Sequence, residues 1–184
     1  MSKMDVTFKD VTLRFKNFSG RETDFNAAGN RNFHVDLTED MVDYLNNVEL
    51  TTKSGRTVKG ANVKTYVPKA SDDNPNPEPR YSIKVLFGTY PPEEMWYVTS
   101  RGKIRLTMDT VGNLDRMRIE RAKVMVSLST YEKGPNVGIT AYLKKLIVWV
   151  QEDDFDQDED FASLPEIGGG GSPMADDEDS SLPF

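Results

Sequence analysis

Two long alternating runs near the end of the ordered-looking sequence constrain the fold more than any other feature. Val124, Val126 and Leu128 recur at every second position within residues 117–131, and residues 137–150 repeat the alternation after Gly134-Pro135-Asn136. A period of two puts the apolar residues on one face of a strand, and the Gly-Pro-Asn break reads as the turn of a hairpin. The chain is therefore predicted to be mainly β.

Shorter stretches agree. Between residues 6 and 16, Val11, Leu13 and Phe15 alternate with Thr12, Arg14 and Lys16, which predicts a first strand with one apolar and one basic face. Phe33, Val35 and Leu37 predict a second strand, and Tyr81, Ile83, Val85 and Phe87, alternating with Ser82 and Lys84, a third that ends at Pro91-Pro92. Phe15, Phe33 and Phe87 are expected in the core. Thr38 reads as an N-cap, with Glu39 and Asp40 at the positive end of a helix dipole and Met41, Val42 and Leu45 at helical spacing; this short helix should end near Asn46-Asn47. Residues 48–67 read as a further hairpin, the Pro-rich stretch 68–79 as an exposed loop, and 95–106 as two short strands or one bent one.

Charge is segregated along the chain. The net charge of -7 would by itself argue against nucleic acid, yet all 23 Lys and Arg lie in the first 150 residues with 18 of the 30 acids, a balance of +5, and the remaining 12 acids all follow residue 150. A basic body thus carries an acidic arm. Residues 152–184, with the Gly168–Ser172 stretch, cannot bury enough apolar surface to offset ordering entropy and are expected to form a disordered acidic tail after one domain at 1–151. The absence of cysteine removes disulfide and thiol chemistry. No apolar run approaches a membrane span and no signal segment precedes the first strand, so a cytoplasmic protein without membrane partners is expected.

Catalytic readings find little support. His34 is the sole histidine and is read as a surface or turn-facing residue; the dense carboxylate clusters fall in the tail, where magnesium ligands would not be held in octahedral geometry. Neither a phosphate-binding GxxxxGK[ST] loop nor a GxSxG elbow is present. No enzyme, metal or cofactor is expected.

Interleaved rings and cations are more informative. Single strands are held by a positive groove that follows the phosphates and by aromatic faces on which bases stack. Lys64 with Tyr66, Trp96 with Arg101 and Lys103, Tyr131, and Tyr142 with Lys144 bring both features onto predicted strands, alongside Arg14, Lys16 and Lys84. Tyr66, Tyr142 and Trp149 fall out of phase with the apolar faces, as residues of a binding face would.

The chain closes on Asp176-Asp177-Glu178-Asp179-Ser180-Ser181-Leu182-Pro183-Phe184. Pro183 restricts the backbone before a terminal aromatic, which offers a partner a hydrophobic plug and a carboxylate amid negative charge. The stretch resembles the acidic tip of bacterial and phage single-stranded DNA-binding proteins. Phe15-Lys16-Asn17-Phe18-Ser19-Gly20, residues 26–33 including Arg31, and Gly138-Ile139-Thr140-Ala141-Tyr142-Leu143-Lys144 likewise resemble small phage proteins of the OB-fold single-stranded DNA-binding type. The resemblance implies a five-stranded OB-like barrel with extra hairpin, loops and one short helix. It also implies a phage-encoded protein of the host cytoplasm that binds single-stranded DNA without sequence preference in replication, recombination and repair. Arg14, Lys16, Phe18, Arg31, Lys64, Tyr66, Lys84, Trp96, Arg101, Lys103, Tyr131, Tyr142 and Lys144 are the candidate DNA-binding residues. Asp176, Asp177, Glu178, Asp179, Leu182, Pro183 and Phe184 are the candidate contacts for replication or recombination proteins. Self-association is left open. The rival reading is a non-catalytic adaptor whose OB-like barrel binds protein and whose tail only solubilises it.

Overall fold

The computed structural model describes residues 2–88 and 94–151. It begins with one bent strand: Lys3–Val11 (β1) and Leu13–Asn17 (β2) are separated by Thr12 alone. There follow Arg31–Leu37 (β3), the helix Glu39–Asn47 (α1), the hairpin Glu49–Thr51 and Thr57–Lys59 (β4, β5), Val63–Tyr66 (β6) and Arg80–Phe87 (β7). The hairpin Glu94–Thr99 and Gly102–Arg105 (β8, β9), a 3-10 turn at Val111–Asp115, and the long hairpin Ile119–Lys133 and Asn136–Val150 (β10, β11) complete the described chain.

Asp10 and Phe15 both have φ of 51°, and each sits where the pairing of its strand shifts register. A bulge of this kind bends a strand and increases its twist. The bend lets one strand serve two neighbours, since β1 pairs with β10 while β2 pairs with β3. From β10 the sheet passes to β11, which runs parallel to β7 at Ala141 and Tyr142; β7 pairs with β3, and β3 returns to β2. With β1 and β2 counted as one strand, five strands close on themselves as an OB-like barrel. β6 covers Arg80–Ile83 of β7, the half that β11 leaves unpaired. Beyond β7, residues 145–149 of β11 pair in parallel with β8, and β9 extends β8 outward as a wing.

Alternation fills the interior. Phe33, Val35, Ile83, Val85, Val124, Val126, Leu128, Ile139, Ala141 and Leu146 are fully buried, and Leu45 of α1, Leu50 of β4 and Val58 of β5 join the same core. Helix α1 forms where expected: the Thr38 hydroxyl accepts a hydrogen bond from the Met41 amide at 3.4 Å, with Glu39 and Asp40 in the first turn.

Three expectations are corrected. Phe15 is 60% exposed, because its left-handed backbone turns the ring out of the core phase that Val11 and Leu13 keep. Phe18, expected at the DNA surface, is completely buried, stacked on Phe33 at 5.0 Å and 5.7 Å from Phe87. Of residues 48–67 only β4 and β5 form a hairpin, while β6 leaves it to join β7. The 3-10 turn has no strand or helix pattern in sequence; it is held from outside, as Asp115 accepts hydrogen bonds from the amides of Phe18 (2.6 Å) and Ser19 (3.0 Å).

Candidate nucleic-acid interface

Strand register sets the outer face of the barrel in rows. Arg14 of β2 lies beside His34 of β3, and His34 beside Lys84 of β7. In the next row Asp36 of β3, Ser82 of β7 and Lys64 of β6 are neighbours, and Tyr66 lies beside Arg80. Registered partners point to the same side of a sheet, so all of these side chains face outward from a core of Val35, Ile83 and Val85.

Phe15 joins this face from β2. Its ring meets His34 at 5.1 Å and Tyr66 at 5.4 Å, both T-shaped at about 80°. A bulky residue with positive φ is a backbone outlier of the kind that persists when its surroundings demand it, often at ligand sites. Here it holds an aromatic ring in solvent amid Lys64 and Lys84, a combination suited to stacking a base while its phosphates meet the cations.

The polar groups beneath the rings are largely paired. Arg14 donates to Asp36 in a half-buried ion pair, and His34 Nδ1 lies 2.9 Å from the Ser82 hydroxyl. Burial is the main influence that lowers the pKa of His34 below the ordinary histidine value, reinforced by Lys84 and Lys64 and opposed by Asp36. The second oxygen of Asp36 and the Tyr66 hydroxyl are buried without a hydrogen-bond partner among the described residues.

A groove of about 720 Å³ continues the face toward the β10–β11 turn, lined by Asn62, Leu86, Tyr131, Lys133, Thr140 and Tyr142 among others. Tyr142 is 46% exposed beside Leu86. Lys144 is tied to Asp5 at 2.6 Å, a contact that is the largest cause holding the Asp5 carboxyl below its usual range.

The β2–β3 loop borders the same face and carries an aromatic that sequence reasoning passed over. Phe25 is 94% exposed, yet the loop beneath it is well built. Thr23 and Asn26 exchange backbone hydrogen bonds at 2.8 and 3.1 Å, and Asn26 Nδ2 donates to the carbonyl oxygens of Arg21, Ala27 and Asn30. Arg31 follows the loop, its guanidinium near Met108 Sδ.

The candidate residues therefore separate. Arg14, Lys64, Tyr66, Lys84, Tyr131, Tyr142 and Lys144 lie on the barrel exterior described above, with Arg31 at its margin. Lys16 turns to structure instead, donating to the carbonyls of Leu114 (2.9 Å) and Met117 (2.5 Å), so its charge secures the 3-10 turn. Phe18 is in the core. Trp96 and Lys103 belong to the wing, and Arg101 to its turn. The tip residues Asp176, Asp177, Glu178, Asp179, Leu182, Pro183 and Phe184 lie outside the described residues. Among the described residues no group of three His, Asp or Glu could hold a metal ion, and no helix is long and apolar enough to cross a membrane.

A closed five-stranded barrel with rings and cations on its outer strands has the architecture of OB-fold proteins that take up single-stranded nucleic acid. The chain belongs to the phage ssDNA-binding domain family, whose sequence pattern it matches over residues 1–181. Solved structures with the same fold include the single-stranded DNA-binding protein from bacteriophage Enc34, at 10% identity and a TM-score of 0.50, covering 84% of this chain and 86% of that one. A C-terminal truncation of the Enc34 protein matches with 12% identity and a TM-score of 0.51, over 83% of this chain and 88% of its own. No curated protein sequence gives a significant match.

Proposed function

We propose that the protein binds single-stranded DNA without sequence preference across the exterior of β2, β3, β6, β7 and the first half of β11. Binding there protects strands during phage replication, recombination and repair and involves no catalysis. The observation that carries this is the cluster of Phe15, His34 and Tyr66 between Lys64 and Lys84. Stacking contributes about 1–3 kcal/mol per base and reads no edge, so such a face is indifferent to sequence. Residues 152–184 form the acidic tail in this reading, and 176–184 recruit replication or recombination proteins in the host cytoplasm. The adaptor alternative draws on Phe25, an exposed ring that directly follows Glu22-Thr23-Asp24.

Gel shifts of full-length protein and of protein lacking residues 176–184, on single-stranded and duplex oligonucleotides across a salt series, test the proposal. Preference for single strands is expected, with log affinity falling linearly with log salt. Equal affinity for duplex at matched salt, or a flat salt response, would remove it. Recruitment is read separately by pull-down from host lysate with wild-type and Phe184→Ala protein, where identical partner bands count against the tip.

A further inference from the structure

We propose that the exterior of the β8–β9 wing is a second platform for single-stranded DNA, reached from the barrel face along β11. The inference rests on the single-strand binding proposed above and extends it to a surface remote from the Phe15 cluster.

Register brings Trp96 of β8 beside Ile147 of β11 and Arg105 of β9, and Val98 beside Trp149 and Lys103. The alternate residues Met95, Tyr97, Leu146 and Val148 are buried, so Trp96 and Trp149 share the outward side. They are the only two tryptophans in the chain. Each carries a cation: Lys103 Nζ stands 4.3 Å from the centre of Trp96, and the Arg121 guanidinium 4.1 Å from that of Trp149. Lys123 lies beside Ile147 across β10. Two acids pair with cations at this face: Glu94 lies 3.1 Å from Lys145 and Asp10 2.8 Å from Arg121.

Positive charge interleaved with half-buried indoles fits phosphates and unpaired bases together. A base can stack on a guanidinium plane as well as on a ring, so Arg121 over Trp149 extends the platform, while the Lys103 ammonium beside Trp96 offers charge to a phosphate. A duplex would meet the charge but keep its bases from the rings. Continuity with the barrel face comes from β11. Its exposed residues Tyr142 and Lys144 lead directly to Lys145, next to the register shift of β10 at Met125/Val126, and thence to Ile147 and Trp149. Both halves of one strand therefore offer rings and lysines to a nucleic acid lying along it.

The two tryptophans make the test direct. Full-length protein is titrated with oligothymidylates of about 8 and about 30 nucleotides, one within and one beyond the span of a single OB barrel. Affinity is read by anisotropy of a label on the DNA and wing contact by indole emission. The longer strand is expected to quench that emission. Lys103→Glu/Lys123→Glu, two exposed substitutions, should weaken the longer strand about tenfold or more and flatten its salt dependence, while the shorter strand binds within about twofold of wild type. Lys64→Glu/Lys84→Glu should weaken both lengths. Tight binding of the longer strand with unchanged indole emission and wild-type affinity in the wing variant overturns this inference and leaves the barrel proposal standing. Equal losses at both lengths in the wing variant also overturn it. So does an emission shift on removing residues 152–184 without DNA, if DNA itself then causes none, because the acidic segment would be the occupant. Failure of wild type to bind either strand defeats the barrel proposal first.

Discussion

The ring of Tyr131 rests on the backbone of Gly138, its partner across the β10–β11 hairpin. A Cβ at Gly138 would stand 2.5 Å from the Tyr131 hydroxyl oxygen and 2.6 Å from ring carbons. The glycine is what lets the ring lie flat along the groove wall, with its hydroxyl 3.5 Å from Asn62 Nδ2.

Gly138→Ala should therefore force Tyr131 off the strand. Overpacking of this kind costs about 1–3 kcal/mol, and binding should weaken as the groove wall changes. In a Tyr131→Ala background the same substitution should be nearly neutral for stability. Denaturant melts of both single variants and the double variant measure the coupling; additive effects would mean that the contact is not what the glycine serves.

Phe15 and Phe18, three residues apart, should have opposite phenotypes. Phe15→Gly removes an exposed ring and suits a backbone at φ 51°, so stability should stay within about 1 kcal/mol of wild type while a base stack worth about 1–3 kcal/mol is lost. Oligonucleotide affinity and thermal melts on the same samples decide it.

Phe18→Ala empties a fully buried site against Phe33 and Phe87. A loss of about 3–5 kcal/mol is expected. At a temperature where the variant is still folded, its DNA affinity should match wild type; weakened binding by folded protein would return Phe18 to the surface.

His34 should couple both properties to pH. Its folded pKa is lowered and unfolding restores a value near 6.5, so the unfolded chain takes up the proton first and stability falls as pH drops through that value. A DNA phosphate opposes the influence of Lys84 and Lys64, raising the pKa in the complex, so affinity should rise as pH falls from about 7.5 to about 5.5. His34→Gln should remove both slopes, as unfolding and binding measured at the two pH values would reveal.

The sequence by itself determined what is repetitive and local. Period-two runs defined β3, β7, β10 and β11, and Thr38 with its following acids defined α1, because each signal lies within a few residues of the structure it specifies. The segregation of charge was equally legible, being a matter of counting. Tertiary structure decided whatever depends on residues far apart in the chain. A strand that bends at Asp10 and Phe15 serves two partners, and the second bulge inverts the phase of Phe15; neither residue is a glycine that would announce a positive φ. Phe18 is buried because Phe33 and Phe87 meet it and Asp115, nearly a hundred positions away, holds its amide. Lys16 looks like a phosphate ligand until the carbonyls of Leu114 and Met117 arrive beside it. Tyr66 and Trp96 read alike as rings near lysines, and only strand pairing sends one to the barrel and the other to the wing. Burial and the availability of a charge are set by what the folded chain brings alongside, and that is a long-range property.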